Sequence, residues 1–191
     1  SVNFNGRKLD SLKDKELRAL RKNIQIVFQD PYSSLNPGMT IGKILSEPLR
    51  LHRGITNKQK LEAEMNWLLN QVDLPGDAIN LYPHQFSGGQ RQRIGIARAL
   101  ACKPEFIVFD ESVSALDVSV QAQILNLIND LKEEFNLTYI FISHDLSVVK
   151  YMSDRMLVMS EGEIVESGLP EQIFIAPEKD YTKQLIASIP G

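Results

Sequence analysis

The sequence is poor in cysteine, in aromatic residues and in long apolar runs. Its one cysteine, Cys102, excludes an intrachain disulfide and a cysteine metal cluster. With three scattered histidines it fits a reducing compartment, where a lone cysteine is most simply a small hydrophobe near a helix end. No apolar run approaches the roughly 20 residues that span a bilayer. The opening Ser-Val-Asn-Phe-Asn-Gly lacks the basic flank and apolar stretch of a signal peptide. Any role at a membrane is therefore expected to run through a partner. A net charge of −3 offers no strongly basic face for nucleic acid, and the clusters Arg18-Ala19-Leu20-Arg21-Lys22 and Arg91-Gln92-Arg93 are too short to change that. What is present, 191 residues at 43% hydrophobic and 24% charged, suits a globular protein with one sizeable core.

Three β-branched, apolar segments read as strands: Ile24-Gln25-Ile26-Val27-Phe28, Phe106-Ile107-Val108-Phe109 and Thr138-Tyr139-Ile140-Phe141-Ile142. The last two are nearly continuous runs, the pattern of parallel strands buried on both faces. Between the strands lie helical stripes, one through Leu61, Met65, Leu68, Leu69 and Val72, another through Ile124, Leu125, Ile128, Leu131 and Phe135 with Asp117 as an upstream N-cap. This order predicts an α/β fold with a parallel sheet. Residues 36–101 carry helical periodicity and turn signals without a convincing strand, and read as an inserted helical subdomain. Met156-Leu157-Val158-Met159 and Glu163-Ile164-Val165-Glu166, flanking Ser160-Glu161-Gly162, predict a β-hairpin.

Four short segments carry candidate chemistry. In Phe86-Ser87-Gly88-Gly89-Gln90, Ser87 can cap a helix and the glycines can admit an anion to its N-terminus. Asp110 and Glu111, at the carboxyl end of a buried strand, suit a magnesium ion and the activation of an attacking water respectively. Gln29 follows a strand and precedes the helix-breaking Asp30-Pro31, where an amide can touch a metal ion or orient water. His144 follows the third strand and can donate a hydrogen bond to a phosphate. Taken singly, each has a plainer explanation: a capping loop, a solvated acid pair, a turn residue and a satisfied loop histidine.

Taken together and in order, these segments resemble the ABC ATPases. Gln29 matches the Q-loop, and Phe86-Ser87-Gly88-Gly89-Gln90 the signature motif with Phe in place of Leu. Ile107-Val108-Phe109-Asp110-Glu111 resembles Walker B with its catalytic glutamate, Ser114-Ala115-Leu116-Asp117 the D-loop, and His144 the switch histidine. Gln29-Asp30-Pro31-Tyr32-Ser33-Ser34-Leu35-Asn36-Pro37 and the tail Asp180-Tyr181-Thr182-Lys183-Gln184-Leu185 are similar to the oligopeptide and dipeptide importer branch, which includes nickel systems. Ser112 departs from the Pro or Ala often found after the glutamate.

The resemblance implies a partial P-loop NTPase fold, with ATP and Mg2+ as ligands. Glu111 and His144 would be catalytic, Asp110 and Gln29 would face the metal, and Gln29, Ser87, Gly88, Gly89, Gln90 and Asp117 would contact the nucleotide. It further implies a second ATPase subunit, membrane-spanning permease subunits and, indirectly, a solute-binding protein, without nucleic acid. The protein would sit peripherally on the cytoplasmic face of the cell membrane. The expected division is 1–35 (core remnant with Q-loop), 36–101 (helical subdomain and signature helix), 102–176 (rest of the core) and 177–191 (start of a C-terminal extension).

One motif of the family is not among these residues. A phosphate cradle reads Gly, four residues, Gly-Lys-Ser/Thr. The nearest string, Pro37-Gly38-Met39-Thr40-Ile41-Gly42-Lys43-Ile44, fails at both ends and falls after the Gln29 strand instead of before it. The expectation is an N-terminally shortened chain that does not bind or hydrolyse ATP appreciably and leaves apolar sheet surface exposed. Two other readings compete: an ABC ATPase acting on DNA or ribosomes, and an interaction module without nucleotide chemistry.

Overall fold

The computed structural model describes residues 1–188; residues 189–191, the last of the stretch 177–191 expected to start a C-terminal extension, lie outside the described residues. The described chain forms two compact units, residues 1–140 and 141–188. The first opens with a hairpin of β1 (Asn3–Phe4) and β2 (Arg7–Lys8). Its turn places Asn5 and Gly6 at φ 48° and 74°, left-handed values that an Asn-Gly pair adopts readily. Asn5 and Asn23 both donate to the Glu105 carboxylate, fastening this N-terminal stretch to a segment about 100 residues away. Helix α1 (Asp14–Leu20) then leads into β3 (Ile24–Val27).

Helices α2 (Ile41–Arg53) and α3 (Lys58–Gln71) follow, capped by Thr40 and Asn57. Gly54 ends α2 in the left-handed conformation. Arg53 joins the two helices by a bidentate pair with Glu64, at 2.7 and 2.8 Å. The bonds from Arg53 hold the Glu64 carboxyl below its ordinary pKa despite partial burial. The expected stripe on α3 is present, with Leu61, Leu68 and Leu69 buried. Helix α4 (Gly88–Leu100) feeds β4 (Phe106–Asp110), and α5 (Val118–Phe135) feeds β5 (Thr138–Ile142). The strand order is β3-β4-β5, with β3 and β4 parallel and Ile26 opposite Val108, Val27 opposite Phe109.

This sheet departs from the expected two-sided burial. One face, carrying Val27, Ile107 and Phe109, is buried, and the Phe109 ring meets Tyr139 edge to face. The alternate residues point the other way, and there Ile26, Phe28 and Ile140 are 44–49% exposed. Their sequence is apolar enough for a two-sided interior, yet the helices described in this unit cover only one side.

The second unit contains α6 (Leu146–Met152), the hairpin of β6 (Met156–Ser160) and β7 (Glu163–Gly168), α7 (Pro170–Ile175) and α8 (Asp180–Ala187). The hairpin forms where the sequence predicts it, with Glu161 and Gly162 at φ 51° and 84°. Met156, Val158 and Ile173 make its small core. Glu166 receives the N–H groups of Glu178 and Lys179, so the β7 strand orients the start of α8.

Candidate functional site

The site in the first unit is assembled from the ends of two strands and two helices. Gln29 stands just beyond β3, and its amide donates to the Glu111 carboxylate at 2.8 Å and more weakly to the Ser114 hydroxyl at 3.3 Å. Glu111 immediately follows β4 and adopts φ 46°, a left-handed backbone that costs a non-glycine residue about 1 kcal/mol or more. Its carbonyl is held there by the N–H and the hydroxyl of Ser114, at 3.0 and 2.9 Å. Asp110 lies exposed at the end of β4, with its carboxylate available to a ligand.

Two helix starts complete the arrangement. Ser87 caps α4: its hydroxyl accepts the Gln90 N–H at 3.3 Å, and the Gln90 side chain returns to the Ser87 N–H at 3.0 Å. The Gln90 amide oxygen is thus committed to the cap. Asp117 caps α5 by accepting from the Val120 N–H and the Ser119 hydroxyl, and these bonds lower its pKa, that from Val120 most. An open cleft of about 410 Å³ runs between these parts, lined by Gln29, Tyr32, Ser87, Gly88, Gly89 and Asp117 among others. Gln90, Asp110 and Glu111 are not among its lining residues; Glu111 adjoins the cleft through its bond to Gln29. His144 belongs to the second unit, exposed between β5 and α6, beside the Asp145 that caps α6.

The two glycines have different roles. A Cβ on Gly88 would meet Leu116 at an ordinary 3.5 Å, whereas one on Gly89 would lie 2.3 Å from Val120 Cγ1. Valine in a helix keeps essentially one rotamer, so it cannot swing aside cheaply. Gly89 is therefore required by the packing of α4 on α5, whatever the cleft binds. Sequence reading missed this contact, and missed Tyr32, which lines the cleft, with Arg91 and Arg98, which reach from α4 to Tyr32 and to the Ser34 carbonyl. The spacing of Arg91 and Arg98, two helical turns apart, was the available signal.

For a magnesium ion, the donor set is mixed. Among the described residues no cluster of three or more His, Cys, Asp or Glu side chains forms a protein cage. Magnesium usually keeps several waters and takes only one or two carboxylates alongside substrate phosphates. The Asp110 carboxylate and the Gln29 amide oxygen are donor types of that kind, with only Gln29 lining the cleft.

The family profile described as ABC transporter matches residues 1–114. The chain belongs to the ABC transporter family. It is 50% identical over its whole length to a putative peptide import ATP-binding protein of Brucella ovis, and 49% identical over 99% of its length to the oligopeptide transport ATP-binding protein OppF of Streptococcus mutans. The glutathione import ATP-binding protein GsiA of Escherichia coli is 50% identical over 98% of the chain, which covers 30% of that protein. The chain spans about 60% of the length of the first two relatives. Among solved structures, the ATP-binding cassette MJ0796, described as a dimer in a post-hydrolysis state with ADP and Pi, superposes with a TM-score of 0.76 at 31% identity, covering 87% of this chain and 72% of that one. A second, cbiO1 of Clostridium perfringens, part of the cbiONQ transporter complex, gives 0.80 at 24% identity over 98% of this chain and 72% of its own, a likeness of fold. The fold is accordingly a partial P-loop NTPase fold of the ABC ATPase type.

Proposed function

We propose that these residues form the hydrolytic and switching part of an ATP-driven importer subunit for oligopeptides or dipeptides. The observation that carries the reading is the Glu111 carboxylate accepting from the amide of Gln29, which itself lines the cleft together with Ser87, Gly88 and Gly89. Glu111 would polarise the attacking water, and Gln29 would hold that carboxylate in line. Asp110 and the Gln29 oxygen would hold magnesium, which supplies neutralisation of phosphate charge. His144 would donate to the γ-phosphate.

Ser87, Gly88 and Gly89 would present the positive end of α4 to a nucleotide carried by a second ATPase subunit. Gln90 would act by shaping that helix start, because its side-chain oxygen closes the cap. Asp117 would hold the D-loop against the same interface. ATP shared between two subunits joins them, and its hydrolysis lets them part, a ligand-driven change between two states. Permease subunits would receive that movement at the cytoplasmic face of the cell membrane, with a solute-binding protein supplying the peptide. The organisation follows as core remnant 1–35, helical subdomain 36–101, remaining core 102–176 and the start of an extension from 177. Support for the peptide branch comes from the names of the relatives at about 50% identity.

The test is steady-state ATP hydrolysis by the full-length protein. Glu111→Gln is expected to lower turnover by roughly 100-fold or more while ATP binding persists; unchanged turnover sinks the role given to Glu111. The 191-residue polypeptide contains no Gly-x4-Gly-Lys-Ser/Thr cradle and should bind Mg-ATP negligibly by itself. Micromolar affinity in isothermal titration of that polypeptide would overturn this second expectation.

A further inference from the structure

The arginines of α4 point to a coupling device. Arg91 is buried: its Nε donates to the Pro83 carbonyl at 2.7 Å, and its guanidinium carbon lies 3.9 Å from the centroid of the Tyr32 ring. Arg98, seven residues on and so on the same face of the helix, donates to the Ser34 carbonyl at 2.5 Å. Burial lowers the Arg98 pKa from its ordinary value, although a guanidinium remains charged in a protein. A desolvated cation aimed at a single backbone carbonyl is costly unless that carbonyl is held in place.

It is held. Asp30 closes the turn after Gln29 by accepting the Tyr32 N–H at 2.8 Å, and the Ser34 N–H returns to the Asp30 carbonyl at 3.2 Å. The turn 30–34 is therefore one folded piece, gripped from α4 at Tyr32 and at Ser34. Its first neighbour is Gln29, whose amide rests on Glu111. Tyr32 is 63% exposed, so its ring is not kept there by core packing.

We propose that Arg98 and the Arg91–Tyr32 stack are positioning residues that transmit the placement of α4 to Gln29, and through Gln29 to the Glu111 carboxylate. They form a two-point strut between the helix that begins at Ser87 and the turn that carries Gln29. The inference rests on the hydrolytic reading above.

Three measurements on the full-length protein test it. First, Arg98→Lys, which keeps the charge but not the directed fork, should lower kcat for ATP hydrolysis by roughly 10-fold or more with KM changed little. Tyr32→Leu should lower kcat by roughly 3-fold, and Tyr32→Phe, which keeps the ring, should restore it. Second, in a Gln29→Ala background the Arg98→Lys effect should shrink to under about 2-fold, because the two act in series. A full effect persisting in that background, or a rise in KM with kcat intact, overturns the strut.

Third, hydrogen exchange separates the strut from the reading it rests on. Amides of Tyr32, Ser33 and Ser34 should exchange faster in Arg98→Lys and Tyr32→Leu, and unchanged exchange overturns the strut even if Glu111→Gln abolishes turnover. Unchanged turnover in Glu111→Gln, with exchange accelerated as expected, instead refutes the hydrolytic reading and leaves the mechanical link standing.

Discussion

Nine of the thirteen residues of α4 are buried, although the helix contains three arginines and three glycines; β5, written Thr-Tyr-Ile-Phe-Ile, has no buried residue. The polar helix lies among α2, α3, α5 and β3, while its three arginines find backbone carbonyls nearby, at Pro83, Val72 and Ser34. The apolar strand keeps its alternate residues, Ile140 among them, largely exposed. Burial in this chain thus follows the number of neighbours an element meets and only secondarily its own hydrophobicity. Charged groups enter the interior where a fixed acceptor awaits them, and apolar groups remain outside where nothing covers them.

The sharpest way to break this contrast is to truncate a side chain that α4 buries completely. Ile94 is wholly inaccessible, and Ile94→Ala should destabilise the chain by about 2–4 kcal/mol in urea denaturation. Next in size comes Gly89→Ala, which drives a methyl into Val120 and should cost about 1–3 kcal/mol. Adding Val120→Ala should recover most of that loss. No recovery would mean that Gly89 is needed for something other than packing.

A smaller effect is expected from the Arg53–Glu64 pair, which holds α2 to α3. Because the folded Glu64 has a lowered pKa, its contribution is fully present above the ordinary glutamate value near 4.5 and is lost as pH falls through the lower folded value. Wild type should exceed Glu64→Gln by about 1 kcal/mol near neutrality, and the gap should close on acidification below about pH 4. A gap that stays constant would assign the effect to packing. Smallest of all is Ile140→Ala on the open face of β5, expected within about 0.5 kcal/mol of wild type. A loss as large as that of Ile94→Ala would show that the face is covered in solution.

Much of the fold was legible in short strings. The Glu161-Gly162 turn, the Ser87 and Asp117 caps and the stripe Ile124, Leu125, Ile128 and Leu131 all appear where sequence places them. The candidate site was legible as an ordered set of motifs, but the use of each residue was not. Gln90 was expected at the nucleotide, and sequence reading did not foresee that its side-chain oxygen closes a capping box. Gly89 was expected to make room for an anion, and the close approach of Val120 gives it a packing role that sequence reading did not foresee. The basic pair Arg91 and Arg93 carried no assigned role. Yet Arg91 stacks on Tyr32, and Arg93 binds the Val72 carbonyl and the Asp73 carboxylate at the end of α3.

Sequence by itself determined the features that depend on neighbours within about four positions along the chain: helical stripes, caps, glycine turns and the order of the family's motifs. Tertiary structure decided whatever joins distant positions. The Gln29–Glu111 bond spans 82 residues and the Asn5–Glu105 bond 100, and no local pattern announces either. It also decided which face of β3, β4 and β5 is covered. A strand alternates its side chains between two sides and cannot specify whether a helix waits on each.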